Sequence, residues 1–382
     1  MKVLIIRTTP NKMGLDSYNL QEIGLAKALV RKGHLCDVMY YNGKEKDTIQ
    51  ILEFDDELSI NIIWKQGFGF FYEGIYPGLK RYVKEYDVIQ VTGYVGVISL
   101  WLNTHVQDKT VNYQGPYYYE KNRGDIKKAM ILDKVMLPFS NKKNMLVISK
   151  SFLATKHMNN KGIHNVKTIG VGLDTSKFLD SIKIDENDFI ANLKKQKGNT
   201  KYITYVGTLE PRRNTLFLLD LFKIVSDSID SKLVIVGKGS QEYVAKCFEK
   251  IEGLEIQDKV IYKEALEQKY VGELYKFSDA FILPTNYEIF GMVMLEAMYF
   301  GVPTVTTYNG GSSMLINESN GVVINELCAD LWAEKILELL TDDEKWTSIS
   351  MNAQKTIREN FTWDALVDKF IDVYNERLGN RG

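Results

Sequence analysis

The chain has 382 residues, of which 45% are hydrophobic and 25% charged, and its formal net charge is −1. That length suits two domains with a core each, and the composition excludes a disordered or membrane-embedded chain. A net charge near zero leaves no global field to recruit nucleic acid, so no such partner is expected. Residues 3–6 read as a buried strand, which sets the opening apart from a signal peptide. No run of about 18 apolar residues follows, so no membrane-spanning helix is expected and a cytoplasmic protein is anticipated.

In chain order, the periodicity predicts a helix over 17–32, with Leu20, Ile23, Leu25, Ala28 and Leu29 on one stripe. Gly33 ends it. Strands are predicted at 36–40, 88–91, 110–113, 145–149 and 166–169. A second series has strands at 202–206, 233–236, 260–262, 280–283 and 303–307, with helices at 215–226 and 268–277. Alternating strands and helices imply parallel sheets covered by helices on both faces. The polar, lysine- and aspartate-rich stretch 180–200 separates the two series. A closing helix starts at Thr362.

The residues with chemical character lie after the strands. Val206-Gly-Thr-Leu-Glu-Pro-Arg-Arg-Asn214 opens with Gly207, which permits a tight turn, and then places Arg212 and Arg213 before a helix. Guanidinium forks match phosphate oxygens. Cations at a helix start oppose its dipole, which argues for a bound anion; a solvated basic helix start is the plainer alternative. Gly237-Lys-Gly239 reads equally as a phosphate loop or a turn. Asn286-Tyr-Glu-Ile-Phe-Gly-Met-Val-Met-Leu-Glu296 sets two glutamates around a loop that turns into a helix at Gly291. A helix start offers free amides to an anion and a carboxylate beside it can take sugar hydroxyls, so a nucleotide-sugar fits. Met294, Leu295, Ala297 and Met298 make the helix apolar, and burying Glu296 there without a partner would be costly.

This stretch, with Ala297, Gly301 and Pro303 beyond it, resembles the donor site of retaining glycosyltransferases of the two-domain GT-B fold, the glycosyltransferase family 4 or group 1 type. The resemblance implies an α/β protein of two Rossmann-like doubly wound domains facing a cleft. Their extents are 1–175, completed by helix 362–378, and 176–361. It implies Glu288, Arg212 and Arg213 as catalytic residues. For donor binding it adds Gly14, Gly207, Gly237, Leu266, Ile289, Phe290, Gly291, Met292, Val293 and Glu296. Glu288 then binds donor-sugar hydroxyls, Glu296 the ribose and Leu266 the base. The chain departs from the family at Arg213 for lysine, Lys238 for an acid, Met314 for glutamate and Gln114 for histidine. Gln114 cannot titrate but can hydrogen-bond a sugar, and it stands with Tyr94 as an acceptor-side candidate.

His34, His105, His157 and His164 lack ligand spacing and the three cysteines lack a metal or disulfide pattern. No metal and no cofactor is expected beyond the nucleotide-sugar substrate. Residues 67–77 are aromatic and glycine-rich, and Lys80, Arg81, Lys84, Lys127, Lys128, Lys142 and Lys143 are basic. They read either as packing beside a solvated helix or as a peripheral contact with an anionic membrane carrying a lipid-linked acceptor. Bacterial surface polysaccharide or glycolipid synthesis is the setting that the resemblance implies. The rivals are a nucleotide-sugar epimerase or hydrolase on the same scaffold and a non-catalytic nucleotide-sugar binder.

Overall fold

The computed structural model describes residues 1–15, 17–18, 20–55, 57–70, 73–117, 130–131, 133–140, 142–179 and 187–379. Lys127, Lys128, part of the aromatic stretch at 71–72 and part of the charged stretch at 180–186 lie outside them. The chain divides into two compact units: Met1–Gly172 with Trp363–Gly382, and Leu173–Thr362.

In the first unit, strands β1 (Lys2–Ile6), β2 (Leu35–Tyr41), β3 (Thr48–Phe54) and β4 (Leu58–Lys65) form one half of a sheet. After a two-stranded ladder of β5 (Phe68–Phe70) and β6 (Glu73–Ile75), the sheet continues with β7 (Val88–Thr92), β8 (Thr110–Gln114), β9 (Val147–Ser149) and β10 (Val166–Thr168). The order is β10-β9-β8-β7-β1-β2-β4-β3. Val3, Leu4, Ile5 and Ile6 are each at most 1% exposed, as a strand covered on both faces requires.

Two features differ from the sequence-based expectation. The helix predicted from residue 17 is Gln21–Arg31, because Gly14 and Ser17 close a turn. The Gly14 amide donates to Ser17 Oγ at 3.1 Å and the Ser17 amide to the Gly14 carbonyl at 3.0 Å. In addition, β3 pairs with β4 antiparallel, where only parallel pairing was expected. The connection after Phe54 is too short for a crossover, so the chain can only fold back on itself. Asp55 has φ +48° in that turn.

The closing helix, Trp363–Gly379, packs on the first unit. Tyr374 Oη donates to Gln90 Oε1 at 2.6 Å and Arg377 Nε to the Thr110 carbonyl at 3.0 Å. Trp363 occupies hollows left by glycine: a Cβ at Gly24 or Gly172 would lie 2.2 or 2.5 Å from its ring atoms.

In the second unit, β11 (Lys201–Val206), β12 (Ser231–Val236), β13 (Val260–Lys263), β14 (Ala280–Leu283), β15 (Thr304–Thr306) and β16 (Val322–Val323) run parallel in the order β13-β12-β11-β14-β15-β16. Helices Thr215–Ser228, Gln241–Gly253, Gln268–Lys276 and Met292–Tyr299 connect them. From β11 the chain builds outward to β13, then returns to the other side of β11 at β14. The loops after β11 and β14 therefore flank the point where strand order reverses, which is where open parallel sheets bind ligands.

Candidate functional site

The loop after β11 is held against two neighbours. On one side, Gly207 and Leu209 meet the loop after β12. The Leu209 amide donates to the Lys238 carbonyl at 2.7 Å, and a Cβ at Gly237 would stand 1.8 Å from the Gly207 carbonyl oxygen. This close approach alone accounts for Gly237. On the other side, residues 211–214 are sewn to the loop after β14. Asn286 donates its amide to the Arg212 carbonyl at 2.9 Å and its Nδ2 to Asn214 Oδ1 at 3.1 Å. Asn214 Nδ2 in turn donates to the Pro284 carbonyl at 2.6 Å. Asn214 itself takes the left-handed conformation, φ +52°, which asparagine tolerates.

This lacing sets the charges. Arg212 donates to the Tyr287 carbonyl and, at 2.5 Å, to Glu210 Oε1. Arg213 is paired with Glu288, and both side chains are 14% exposed. Arg213 Nε lies 3.9 Å from Glu210 Oε1, and is buried without a hydrogen bond. The two cations at this helix start are thus met by Glu210 and Glu288. The dipole argument for a bound anion does not stand by itself, because the protein supplies the counter-charges.

Gly291 follows at φ +76° and caps helix Met292–Tyr299. A Cβ there would lie 2.4 Å from Met294 Cε and 3.1 Å from Glu288 Cγ, so glycine is needed for both conformation and space. The Gly291 carbonyl accepts from Met294 at 2.9 Å and Leu295 at 3.3 Å, which leaves Met292 and Val293, both half-buried, at the open helix start. Behind it, Gly310 donates to the Glu288 carbonyl at 3.0 Å, and a Cβ at Gly311 would be 1.7 Å from the Phe290 carbonyl oxygen. Glu296 is 2% exposed, so it is a core carboxyl and not a surface helix residue.

Residues 186–356 match the family model described as Glycosyl transferases group 1. The match lies within the second unit, Leu173–Thr362. An uncharacterized glycosyltransferase of Methanocaldococcus jannaschii is 28% identical over 215 residues, 55% of this chain and 53% of that protein. A UDP-Gal:alpha-D-GlcNAc-diphosphoundecaprenol alpha-1,3-galactosyltransferase of Escherichia coli is 29% identical over 225 residues, 56% of this chain and 55% of its own. The chain spans about half the length of these curated relatives. The fold is of the GT-B type. It is similar to that of the Anabaena protein HepE, solved with UDP-glucose, at TM-score 0.67 and 17% identity over 98% of this chain and 100% of that one.

Within residues 186–356, the structure brings together Arg212, Arg213, Glu288 and the helix start at Gly291, while Ile289 and Phe290 carry the backbone between them. Leu266 is half-buried and packs against the core cluster of Tyr202, Val236 and Tyr270. Sequence reasoning passed over Glu210, Asn214 and Asn286. The signal available was the asparagine following each strand's loop, whose meaning appears only when β11 and β14 are neighbours.

In the first unit, Gly14 is exposed in its turn. Gln114, 5% exposed, donates from Nε2 to the Pro116 carbonyl at 2.8 Å and lines a cavity. Tyr94 is a correction: it sits in a core cluster with Leu137, Met145 and Met158, donating to Asp133 Oδ1 at 2.6 Å. Its ring is core packing and its hydroxyl is engaged there. The aromatic stretch divides, Tyr76 being 4% exposed and Phe68 and Phe70 52% and 50%. Among the described residues there is no group of three or more His, Cys, Asp or Glu side chains placed to hold a metal, and no helix long and apolar enough to cross a membrane.

Proposed function

We propose that this protein transfers a sugar, with retention of anomeric configuration, from a nucleoside-diphosphate sugar to an acceptor hydroxyl. The observation that carries the reading is the convergence of Arg212, Arg213, Glu288 and the Gly291 helix start at the strand-order reversal of the second unit. The UDP-glucose bound by HepE, a protein of similar fold, supports the donor class.

The leaving diphosphate carries the charge that develops in the transition state. The two guanidinium groups and the amides of Met292 and Val293 are fixed donors for it. Arg213 reaches the phosphate by loosening its pair with Glu288, which frees that carboxylate for donor-sugar hydroxyls. Glu296 takes the ribose hydroxyls, and Leu266 an apolar face of the base. The acceptor hydroxyl attacks from the face the diphosphate leaves, and a phosphate oxygen takes its proton. No metal ion is called for in this scheme, since cationic side chains and helix amides carry the charge.

The acceptor is a saccharide or a lipid-linked one. The diphosphoundecaprenol substrate named for the Escherichia coli relative supports the second form and a role in surface polysaccharide or glycolipid synthesis. Exposed Phe68 and Phe70, with exposed Lys80, Arg81 and Lys84, support a peripheral contact with an anionic membrane face from the cytoplasmic side. The test incubates the protein with UDP-, GDP- or ADP-sugars, with and without saccharide acceptors. Nucleoside diphosphate released only with acceptor, and an α-linked product from an α-linked donor by NMR, are expected. Release without acceptor, or an inverted product, would overturn the reading.

A further inference from the structure

The loop after β11 carries a charged side chain that the proposed chemistry does not use. Glu210 stands beside both arginines. Its Oε1 accepts from Arg212 Nη2 at 2.5 Å and from Thr208 Oγ1 at 3.0 Å, and lies 3.9 Å from Arg213 Nε. One carboxylate oxygen therefore faces two guanidinium groups but satisfies only one, since Arg213 Nε is buried without a hydrogen bond. Such a buried donor costs free energy until an acceptor reaches it.

Glu210 is not what holds Arg212 in place. The Arg212 guanidinium also donates to the Tyr287 carbonyl, and its backbone carbonyl accepts from the Asn286 amide at 2.9 Å. The two ion pairs differ in how firmly they are held. Arg213 and Glu288 are each 14% exposed, and separating a buried pair is costly. Arg212 and Glu210 are 32% and 40% exposed, and pairs so open to water contribute little. Of the two carboxylates, Glu210 is the one that yields readily.

We propose that Glu210 is a displaceable counter-ion: it takes the anion position between Arg212 and Arg213, and the diphosphate of the donor displaces it. The inference rests on the transferase reading, which puts a diphosphate at these two arginines. A diphosphate presents several anionic oxygens, so it bonds Arg212 and reaches Arg213 Nε together, which one carboxylate oxygen does not. Glu210 then turns toward the solvent to which it is already partly open. Its charge opposes the diphosphate in both directions, lowering affinity on entry and favouring release of the nucleoside diphosphate after transfer.

The test measures the affinity of UDP, GDP and ADP by calorimetry, at one ionic strength, for the full chain and for Glu210→Gln, Glu210→Ala and Glu344→Gln. The last removes the same charge from the exposed first turn of helix Asp343–Asn360. The nucleotide that the wild type binds should bind both Glu210 variants about three- to tenfold more tightly, the order expected for removing one charge beside a partly exposed anion site. Glu344→Gln should keep the wild-type affinity. In steady-state kinetics, inhibition by that nucleoside diphosphate should strengthen in the Glu210 variants by the same factor. A carboxylate that only positions the arginines would give the reverse, weaker binding on its removal. Weaker or unchanged binding in the Glu210 variants, or equal tightening in Glu344→Gln, would overturn the inference while wild-type binding still supports the transferase reading. No nucleotide bound by the wild type or by any variant would overturn that reading and the inference with it.

Discussion

At the scale of single residues, the Arg213–Glu288 pair holds the donor account together. Each partner compensates the other while the site is without ligand, and each has a separate task when donor binds. Replacing Arg213 with alanine should lower kcat by about 100-fold or more, the usual effect of losing a preorganised charge donor, with the thermal transition retained. Glu288→Gln should impair transfer far more than nucleotide binding, which steady-state kinetics beside nucleotide calorimetry will separate; equal losses would make Glu288 a structural partner of Arg213 only. Glu73 provides a stability prediction. Its folded-state value, about 7, stands above the ordinary 4.5, so the native protein binds the proton more tightly than the unfolded chain. The stability it contributes is full below about 4.5 and is lost as pH rises through about 7. Glu73→Gln should therefore flatten that part of the Tm-against-pH curve, and an identical slope in the variant would contradict the burial argument.

At the scale of elements, glycines set how closely the second unit's loops approach one another. The backbone of residues 288–290 lies so near Gly310 and Gly311 that a Cβ at Gly311 would meet the Phe290 carbonyl oxygen at 1.7 Å. Gly311→Ala should cost about 2–4 kcal/mol in urea unfolding and shift the Glu288 loop, weakening nucleotide binding as well. The elements most legible in the sequence are those buried on both faces, because a run such as Val3–Ile6 or Ala280–Leu283 has one physical interpretation. The β3–β4 hairpin was not legible. Ile49 and Ile51 alternate with Thr48 and Gln50 in the sequence but point to solvent at 64% and 63% exposure, so the alternation in β3 marks no buried face. The start of helix Gln21–Arg31 was misplaced because the Gly14–Ser17 turn is made by a side-chain hydroxyl, which hydrophobic periodicity does not register. For the site, Arg212, Arg213, Glu288 and Gly291 could be read locally, each lying beside a strand end. Glu210 hid in a charge run that reads as a solvated turn, and Glu73 acquires meaning only when β6 lays it across the amides of Val97 and Ile98.

At the scale of the whole molecule, the closing helix belongs to the unit that begins the chain. Trp363 occupies the hollows at Gly24 and Gly172, and Tyr374 and Arg377 bond to Gln90 and Thr110. Trp363→Ala should destabilise the first unit by about 3–5 kcal/mol, the range for emptying a buried aromatic site. Differential scanning calorimetry should show that unit's transition moving down while a nucleotide still raises the other. A single transition shifted as a whole would mean that the two units unfold together. Sequence gave less purchase on the first unit: Gln114 could be read at a strand end, whereas Glu73 follows no local pattern.

The central claim is that the second unit carries a nucleoside-diphosphate sugar site built on Arg213 and the Gly291 helix start. The most direct measurement is a thermal-shift titration of the wild type and Arg213→Ala with UDP, GDP, ADP and their glucose conjugates. Ligand binding to the native state raises Tm in proportion to the logarithm of its excess over Kd. One base should give a saturable rise in the wild type that is largely lost in the variant. No rise with any nucleotide, or the same rise in both proteins, would contradict the account.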